Sequence, residues 1–461
     1  MQDLTTGSVT SHLLKTTSFM LVGMVFQTLY VLVDLYWVGQ LGTEAVAAVG
    51  LSGNLMFVVL ALTQMLGVGT TTLISHAAGR KDLDRATFVF NQAQVLSMTA
   101  GAAFFLVAMA GRSAYARALS ADPATAAAAE AYLFWLLPGF TLQFAVVAMG
   151  SALRGIGDFK PGMIVQSGSV VLNMILSPIL IFGWGTGRPM GVAGASLGTF
   201  LSIVVALAWV GTYFRGHHAF LRFDRALWRP RLEAWREMLA IGLPAGAEFF
   251  LMSVYLVIVY IVIRPFGSAA QAGFGIGMRV VQSGFLPVVA LGFAVAPVAG
   301  QNVGARLPAR VIQTFRAAAA LATAAMALFV ALAHLSPAAL VRIFSDDPET
   351  IGIGSEYLRI ISWNFVASGL VFVSSSMFQA MGHTLPSLVT SSTRILIFAV
   401  PVVLLSRQAG FQLSWIWYTA VTAVTLQMVF NLVLLEREFR RRLGVSLLAP
   451  SPAMTGAAAR P

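Results

Sequence analysis

The chain has 461 residues, of which 58% are hydrophobic and only 10% are charged, and its mean hydropathy is +0.81. Soluble globular chains carry about 25% charged residues, so this composition excludes a soluble multidomain protein and indicates a multi-pass membrane protein. The formal net charge is +11, and the absence of cysteine excludes disulfides, thiolate nucleophiles and cysteine metal sites.

Twelve apolar stretches are long enough to cross a bilayer, which takes roughly 17–25 helical residues. An even number of spans places both termini on the same side of the membrane. In chain order the predicted spans are residues 15–38, 46–74, 88–110, 130–151, 162–183, 191–213, 238–263, 274–300, 313–334, 356–379, 388–406 and 413–435.

The basic residues concentrate in alternate loops, and the longest polar interruption, residues 215–236, contains six arginines. By the positive-inside rule these loops and both termini are predicted to be cytoplasmic, in a bacterial inner membrane. The positive charge is then expected to meet anionic lipid headgroups, and no nucleic-acid partner is predicted.

The two halves of the chain repeat each other at a constant offset of 225 positions. Gly42 recurs as Gly267, and Asp122 recurs as Asp347. Six spans per half predict parallel repeats related by a pseudo-two-fold axis normal to the membrane. We therefore predict an all-α integral membrane protein with twelve transmembrane helices in two six-helix lobes. The predicted lobes are residues 1–222 and 223–445, and residues 446–461 are predicted to form a disordered cytoplasmic tail.

Several ordered segments carry a family resemblance over roughly residues 10–445. They include residues 32–42 (LVDLYWVGQLG), 152–158 (ALRGIGD) and 300–304 (GQNVG). With these segments the chain resembles the multidrug and toxic compound extrusion (MATE) family, most of all its DinF-like branch. The resemblance implies a monomeric antiporter that exports amphipathic, often cationic, organic compounds by alternating access. It also implies inward H⁺ or Na⁺ as the driving ion and no other cofactor.

Asp34 is a carboxylate inside the first apolar span, where a charge costs at least ~2.5–3.5 kcal/mol. Gln27, Tyr30 and Trp37 recur with it at helical spacing and share its face of the helix. Asp34 can bind a proton or Na⁺ or pair with a cationic substrate, and Tyr30 and Trp37 are candidate substrate contacts. The alternative is that Asp34 pairs permanently with a neighbouring donor. In DinF-like relatives the residues at the positions of Asp34 and Gln27 are implicated in cation coupling.

Asn173 and Ser177 lie one turn apart in the fifth span and complete the predicted coupling site. Family members commonly have Asn-x-x-Leu-Asp-Pro here, and Ser177 stands in place of that aspartate. One carboxylate among neutral oxygens makes a weak Na⁺ cage but an adequate proton carrier, so H⁺ is favoured. Alternatively, Asn173 only hydrogen-bonds neighbouring helices together.

Glu248 lies close to the predicted midplane of the seventh span. Two roles fit it equally: a second coupling or drug-binding carboxylate, or the partner of a buried base. Arg279 and Arg394 are the candidate bases, and both are predicted to be structural ion-pair or cavity groups.

Three other functions stay open for a chain of this composition. A flippase of a lipid-linked precursor usually has fourteen helices and a cationic cavity, and a narrow-specificity metabolite exporter is compatible with the same architecture. A membrane enzyme would need clustered catalytic groups, which the sequence does not contain. No Walker motif or metal-ligand spacing is present, so an ion gradient is the predicted energy source and the protein is predicted not to be an enzyme.

Overall fold

The structure, a computed structural model, describes residues 2–185, 187–216 and 220–447. All regular structure within these ranges is helical, as lipid requires, because a bilayer offers backbone groups no hydrogen-bond partners. The α-helices are α1 (Val9–Gly39), α2 (Thr43–Gly79), α3 (Leu83–Leu119), α4 (Pro123–Gly155), α5 (Phe159–Phe182), α6 (Val192–Gly216), α7 (Leu232–Ile263), α8 (Ser268–Gly304), α9 (Pro308–Leu335), α10 (Pro337–Arg342), α11 (Pro348–Ile361), α12 (Asn364–Ala380), α13 (Leu385–Leu405) and α14 (Leu413–Glu438).

Eleven described helices are long and apolar enough to cross a membrane, and the bent pair α11–α12 supplies a twelfth span. The prediction of an all-α membrane protein with twelve spans is therefore confirmed. Each of the other eleven predicted spans lies on one helix of its own, and its ends agree with that helix to within one residue or fall inside it. Several helices are longer than the predicted apolar stretches because polar residues continue the helical backbone at their ends.

The predicted span 356–379 is wrong as a single helix, because α11 and α12 meet at an angle of 56°. Ser362 lies at the break, where its hydroxyl donates to the Arg359 carbonyl at 2.9 Å and lies 3.3 Å from His334 Nδ1. A serine side chain that bonds to nearby groups competes with the helical backbone pattern. The equivalent helix of the first half, α4, is continuous although it contains Pro138.

The predicted repeat is present in the backbone conformation. Helices α2 and α8 begin and end 225 residues apart. Lys81 and Arg306, also 225 residues apart, are the described non-glycine residues with positive φ, and both have φ of 58°. Two aromatic contacts keep the same offset up to the end of each half: Phe90 with Phe214, and Phe315 with Phe439, the residue that follows α14.

The described residues divide into two compact units, each with its own hydrophobic core. Unit 1 contains the residues up to Asp3 together with Ser18–Gly246, and unit 2 contains Leu4–Thr17 and the residues from Ala247 onward. The sequence predicted a boundary after residue 222, whereas these units divide inside α7. The first half of α7 belongs to unit 1 because it packs on α2 at backbone distance: a Cβ on Gly242 would lie 1.8 Å from the Met65 carbonyl oxygen.

In unit 1, two buried amides hold the segment that precedes α7. Asn91 Oδ1 accepts from the Asp224 backbone N–H at 3.0 Å and from Trp228 Nε1 at 2.9 Å. Gln92 Nε2 donates to the carbonyls of Leu227 and Arg229 at 2.7 and 2.9 Å. Side chains of α3 therefore hold the arginine-rich segment mainly by hydrogen bonds to the backbone of that segment.

In unit 2, the segment that precedes α1 is held in a similar way. The Leu4 N–H donates to Gln301 Oε1 at 3.0 Å, and Arg310 donates to the carbonyls of Leu4, Thr6 and Gly7 at 3.0–3.3 Å. At the other end of the unit, Glu436 accepts from the Leu447 N–H at 2.7 Å. The rest of the predicted tail, residues 448–461, lies outside the described residues.

Candidate functional site

Three of the predicted site residues are linked in unit 1 by a polar network of α1, α5 and α6. The Tyr30 hydroxyl lies 3.2 Å from Thr199 Oγ1, and Asn173 Nδ2 donates to the same oxygen at 3.1 Å. Ser177 Oγ donates to Asn173 Oδ1 at 3.3 Å. Asn173, Ser177 and Thr199 are at most 8% exposed. The structure therefore brings Tyr30, Asn173 and Ser177 together, with Thr199 as the link.

Asp34 lies one helical turn beyond Tyr30 on α1, and its side chain is 7% exposed. It interacts electrostatically with the hydroxyls of Tyr30 and Tyr132. Its Oδ1 atom is buried and accepts no hydrogen bond from any described residue. The alternative that the sequence left open, permanent pairing of Asp34 with a neighbouring donor, is not seen at this oxygen. The free acceptor leaves Asp34 available for a proton, a metal cation or a cationic ligand.

Gln27 and Trp37 lie on α1 with Asp34, but their side chains contact other residues than those of the polar network. Gln27 Oε1 accepts a hydrogen bond from Gln166 Nε2 at 2.8 Å, which ties α1 to α5. The Trp37 ring packs edge-on against Phe182 and Trp184, with ring centroids 6.0 and 5.8 Å away. Trp37 thus belongs to an aromatic cluster at the ends of α1 and α5, and Gln27 belongs to a helix–helix contact.

Sequence reasoning missed Thr199, Tyr132 and Gln166 as members of this site. Uncharged polar residues are frequent in membrane helices, so none of the three stood out by residue type. Tyr132 was visible as part of the repeat, with Tyr357 at the 225-residue offset. Their interactions with residues of α1 become visible only in the folded structure, where Thr199 bonds to Tyr30, Gln166 bonds to Gln27 and Tyr132 interacts with Asp34.

Glu248 lies in unit 2. It is half-buried, accepts a hydrogen bond from Ser387 on α13 and interacts electrostatically with Arg394. Ser387 Oγ also shares a hydrogen bond with Ser375 Oγ on α12. Glu248 is therefore held by a polar layer built from α7, α12 and α13.

The two candidate arginines have different environments. Arg394 is half-buried on α13, and its guanidinium carbon lies 5.3 Å from the centroid of the Tyr255 ring. No ion pair between Arg394 and Glu248 occurs among the described residues, although the two charges interact. Arg279 is exposed on α8. The structure thus places Arg394 beside Glu248, and the roles of both arginines stay predictions.

A cage of ionisable metal ligands does not occur in the described part of the chain. No group of three or more His, Asp and Glu side chains converges there. Asp34 is accompanied by hydroxyl and amide groups instead. These are oxygen donors of the kind that hard cations use, but they bring no second negative charge.

Comparison with known proteins gives one consistent result. The family model MatE matches residues 20–179 and 244–405. The probable multidrug resistance protein YoeA of Bacillus subtilis is 29% identical over 430 residues, which cover 89% of this chain and 90% of that protein. The multidrug export protein MepA of Staphylococcus saprophyticus is 28% identical over 367 residues, which cover 79% of this chain and 80% of the relative.

Solved structures share the architecture along nearly the whole chain. A MOP superfamily transporter from Pyrococcus furiosus superposes with a TM-score of 0.88 at 24% identity, over 96% of this chain and 98% of that one. An outward-facing MATE family multidrug resistance transporter superposes with a TM-score of 0.87 at 24% identity, over 97% and 98% of the two chains. At this identity the likeness shows the fold, which is that of two-lobe transporters.

Proposed function

The chain belongs to the MatE family, and from this premise we propose that it is a secondary active antiporter that exports amphipathic, cationic organic compounds in exchange for H⁺. The relatives YoeA and MepA, named for multidrug resistance and multidrug export, support this substrate class. We propose alternating access as the transport mode. We also propose that the protein catalyses no reaction and needs no cofactor other than the coupling ion. Assignment to the DinF-like branch stays a prediction.

The buried, unpartnered Oδ1 of Asp34 is the observation that carries this proposal. An ionised carboxylate in a span is costly, so Asp34 is stabilised by either a proton or an organic cation. The two ligands neutralise the same charge and therefore compete for it. Competition between an inward-moving proton and an outward-moving cation for one group produces exchange, because loading either ligand releases the other.

The surrounding network favours H⁺ over Na⁺ as the coupling ion. Ser177, Asn173 and Thr199 offer neutral oxygens that are already hydrogen-bonded to one another. A Na⁺ ion would need several of these oxygens as ligands at once, with one carboxylate to balance its charge, whereas a proton needs only one carboxylate oxygen. Tyr30, bonded to Thr199, links the state of the Asp34 charge to α6.

The membrane setting of the proposed antiporter follows from its helices and its charge distribution. Its spans establish a multi-pass membrane protein. The arginine-rich segment at residues 215–236 supports a bacterial inner-membrane location with both termini cytoplasmic. We further propose a monomer whose basic loops contact anionic lipid headgroups.

The decisive experiment measures ethidium export from proteoliposomes under an imposed pH gradient or an imposed Na⁺ gradient. We expect export by the wild type under the pH gradient and at least a tenfold loss in Asp34→Asn, which cannot exchange a proton at this position. Glu44→Gln, an exposed carboxylate at the start of α2, is the matched control and should export at the wild-type rate.

Each other outcome contradicts a defined part of the proposal. Export driven by Na⁺ alone would reject proton coupling. Wild-type export by Asp34→Asn would reject Asp34 as the coupling group. If the wild type moves no ethidium under either gradient, the flippase and the narrow-specificity metabolite exporter replace the multidrug antiporter.

A further inference from the structure

The residues that lead into α7 present positive charge that the described residues do not neutralise. Arg229, Arg231 and Arg236 are exposed, and none of them forms an ion pair with a described residue. Of the two carboxylates at the start of α7, Glu237 is already paired with an arginine of α3, and Glu233 is exposed. Three arginines thus face one unpaired carboxylate, which favours an anionic partner at this surface.

An apolar groove, here called the α7 groove, runs beside these arginines along the first turns of α7. Its volume is about 540 Å³, and its lining includes Leu232, Trp235 and Leu243, with Arg236 among them. Leu232 is 75% exposed and Leu243 is 56% exposed. From Leu232 to Pro244 the groove follows the helix for about 18 Å, at 1.5 Å per residue. Its shape and apolar lining suit a hydrocarbon chain.

A second groove, here called the α3 groove, has a volume of about 410 Å³. It is lined by Trp228 and by four residues of α3, which are Val95, Met98, Thr99 and Ala102. Trp228 Nε1 donates to Asn91 Oδ1 at 2.9 Å, so the polar edge of the indole is used within unit 1 while the ring is 38% exposed. Trp228 lies four residues before Leu232, so residues 229–231 connect the two grooves.

The connecting residues 229–231 are held in place by α3. Gln92 Nε2 donates to the Arg229 carbonyl at 2.9 Å, and the Arg231 N–H donates to Gln92 Oε1 at 2.9 Å. These bonds use only the backbone of the two arginines, so both guanidinium groups stay available to a ligand. A segment that is already ordered loses less conformational entropy when it binds.

The internal repeat shows that helix packing does not require these side chains. At the offset of 225 residues the positions of Trp228, Arg229, Trp235 and Arg236 correspond, in this order, to Asp3, Leu4, Thr10 and Ser11. Helix α1 begins at Val9 without an arginine or a tryptophan at these positions. The two tryptophans and the arginines are therefore features of this segment and not of the shared fold.

We propose that this part of unit 1 binds one anionic phospholipid, with its phosphate at Arg229, Arg231 and Arg236 and one acyl chain in each groove. Guanidinium groups bind phosphate through paired N–H donors, and tryptophan rings lie favourably where headgroups meet hydrocarbon. Basic pockets on the cytoplasmic side of membrane helices bind anionic headgroups. The inference rests on the proposed membrane setting, in which this segment is cytoplasmic, and adds a defined site to the proposed lipid contact.

Native mass spectrometry of the purified full-length protein tests the headgroup, because it resolves each bound lipid and gives the Kd of the first. The two probes are dioleoylphosphatidylglycerol, which is anionic, and dioleoylphosphatidylcholine, which has the same chains and no net charge. We expect the wild type to bind the phosphatidylglycerol at least tenfold more tightly. The double variant Arg229→Gln/Arg236→Gln should raise the Kd of the phosphatidylglycerol about tenfold and leave the Kd of the phosphatidylcholine within twofold.

Filling one groove tests the placement of the two chains. Ala102 is exposed in the α3 groove, so Ala102→Trp occupies that groove without entering the core. We expect this variant to raise the Kd of dioleoylphosphatidylglycerol about tenfold. The Kd of oleoyl-lysophosphatidylglycerol should stay within twofold of the wild-type value, because its single chain can use the α7 groove. Equal weakening of the two lipids would reject one chain in each groove.

The controls separate a defined site from general attraction between opposite charges. Arg80→Gln/Arg437→Gln removes two exposed arginines next to other helix ends and should change neither Kd. Arg229→Lys/Arg236→Lys keeps both charges and should restore part of the affinity. Equal losses in the two glutamine double variants, or equal wild-type affinity for both headgroups, would overturn the inference. Ethidium export is measured separately, so a wild type that exports ethidium without preferring phosphatidylglycerol rejects only the lipid site.

Discussion

Asp122 and Asp347 cap the helices that begin at Pro123 and Pro348, and they do so in the same way in both halves. The Thr125 N–H and hydroxyl donate to the Asp122 carboxylate at 2.8 and 2.7 Å, and Thr350 binds Asp347 through the same two groups. The hydroxyl bond is the largest cause that lowers the pKa of each carboxyl below its ordinary value of 3.8, followed by the backbone bond. Both bonds favour the ionised form.

A depressed pKa gives the Asp122 cap a defined pH dependence. The folded-state pKa lies below the unfolded value, so the cap contributes its full stability above about pH 4 and loses it as the pH falls through the folded-state value. We expect Asp122→Ala to lower the Tm by a few degrees at pH 7, and this difference to shrink below about pH 4. Thermal melts in detergent at several pH values measure it.

Asp346→Ala is the matched control for the cap, because Asp346 is exposed and precedes the capping position of α11. It should leave the Tm near the wild-type value at every pH. An Asp122→Ala difference that stays constant down to pH 3 would contradict the assignment of the cap to the ionised carboxylate.

Residue type alone identified Asp34 and Glu248, because a carboxylate in an apolar span is rare. It did not identify Thr199 or Gln166, because a single hydroxyl or amide is common in membrane helices. It also could not distinguish Arg394, which lies beside Glu248, from the exposed Arg279. The difference between the two arginines depends on which helix face meets α7, and that is decided by packing.

At the scale of helices, the close contact between α2 and α7 depends on glycine. A Cβ on Gly242 would lie 1.8 Å from the Met65 carbonyl oxygen, and a Cβ on Gly246 would lie 2.9 Å from the Ala61 carbonyl oxygen. Small residues at such crossings let helix backbones approach, which is a main source of helix association in membranes. The obstructing atoms belong to the backbone, so a side-chain rotation cannot make room.

We therefore expect Gly242→Ala to push α7 away from α2 and to reduce the yield of folded protein severely. Fluorescence-detected gel filtration after a heat step measures the folded fraction. Gly162→Ala is the control, because Gly162 is also helical, on α5, and a Cβ there meets nothing within 4 Å. Replacing a helical glycine with alanine in open space stabilises by up to about 1 kcal/mol. Equal behaviour of the two variants would reject the crossing as a steric constraint.

At the scale of the whole chain, the segment before α1 belongs to unit 2, although most of α1 belongs to unit 1. Leu4, Val9 and Leu13 are fully buried in the core of unit 2. Arg310 fastens the segment by donating to three of its carbonyls, and it also donates to Asn302 Oδ1 at 3.0 Å. Residues Leu4–Thr17 thus belong to unit 2 although the residues on either side of them in the chain belong to unit 1.

Removing the hydrogen bonds of Arg310 should increase the mobility of the N-terminal residues without unfolding unit 2. Hydrogen bonds to a charged group contribute about 1.5–3 kcal/mol. We expect Arg310→Gln to raise the rate of amide exchange in residues 2–12 at least tenfold in hydrogen–deuterium exchange mass spectrometry. Arg359→Gln, an exposed arginine on α11, is the control and should exchange like the wild type. Unchanged protection in Arg310→Gln would show that apolar burial alone holds the segment.

The amino-acid sequence by itself determined the membrane class, eleven of the helical spans, the internal repeat and the two unusual carboxylates. These features follow from local composition, since lipid demands long apolar helices and makes every charge within them conspicuous. The tertiary structure decided which neutral side chains surround Asp34, which arginine lies beside Glu248, where α11 breaks from α12, and to which unit the first residues belong. These features depend on contacts between residues far apart in the chain. The repeat shows which positions of the two halves correspond, but it does not determine these contacts.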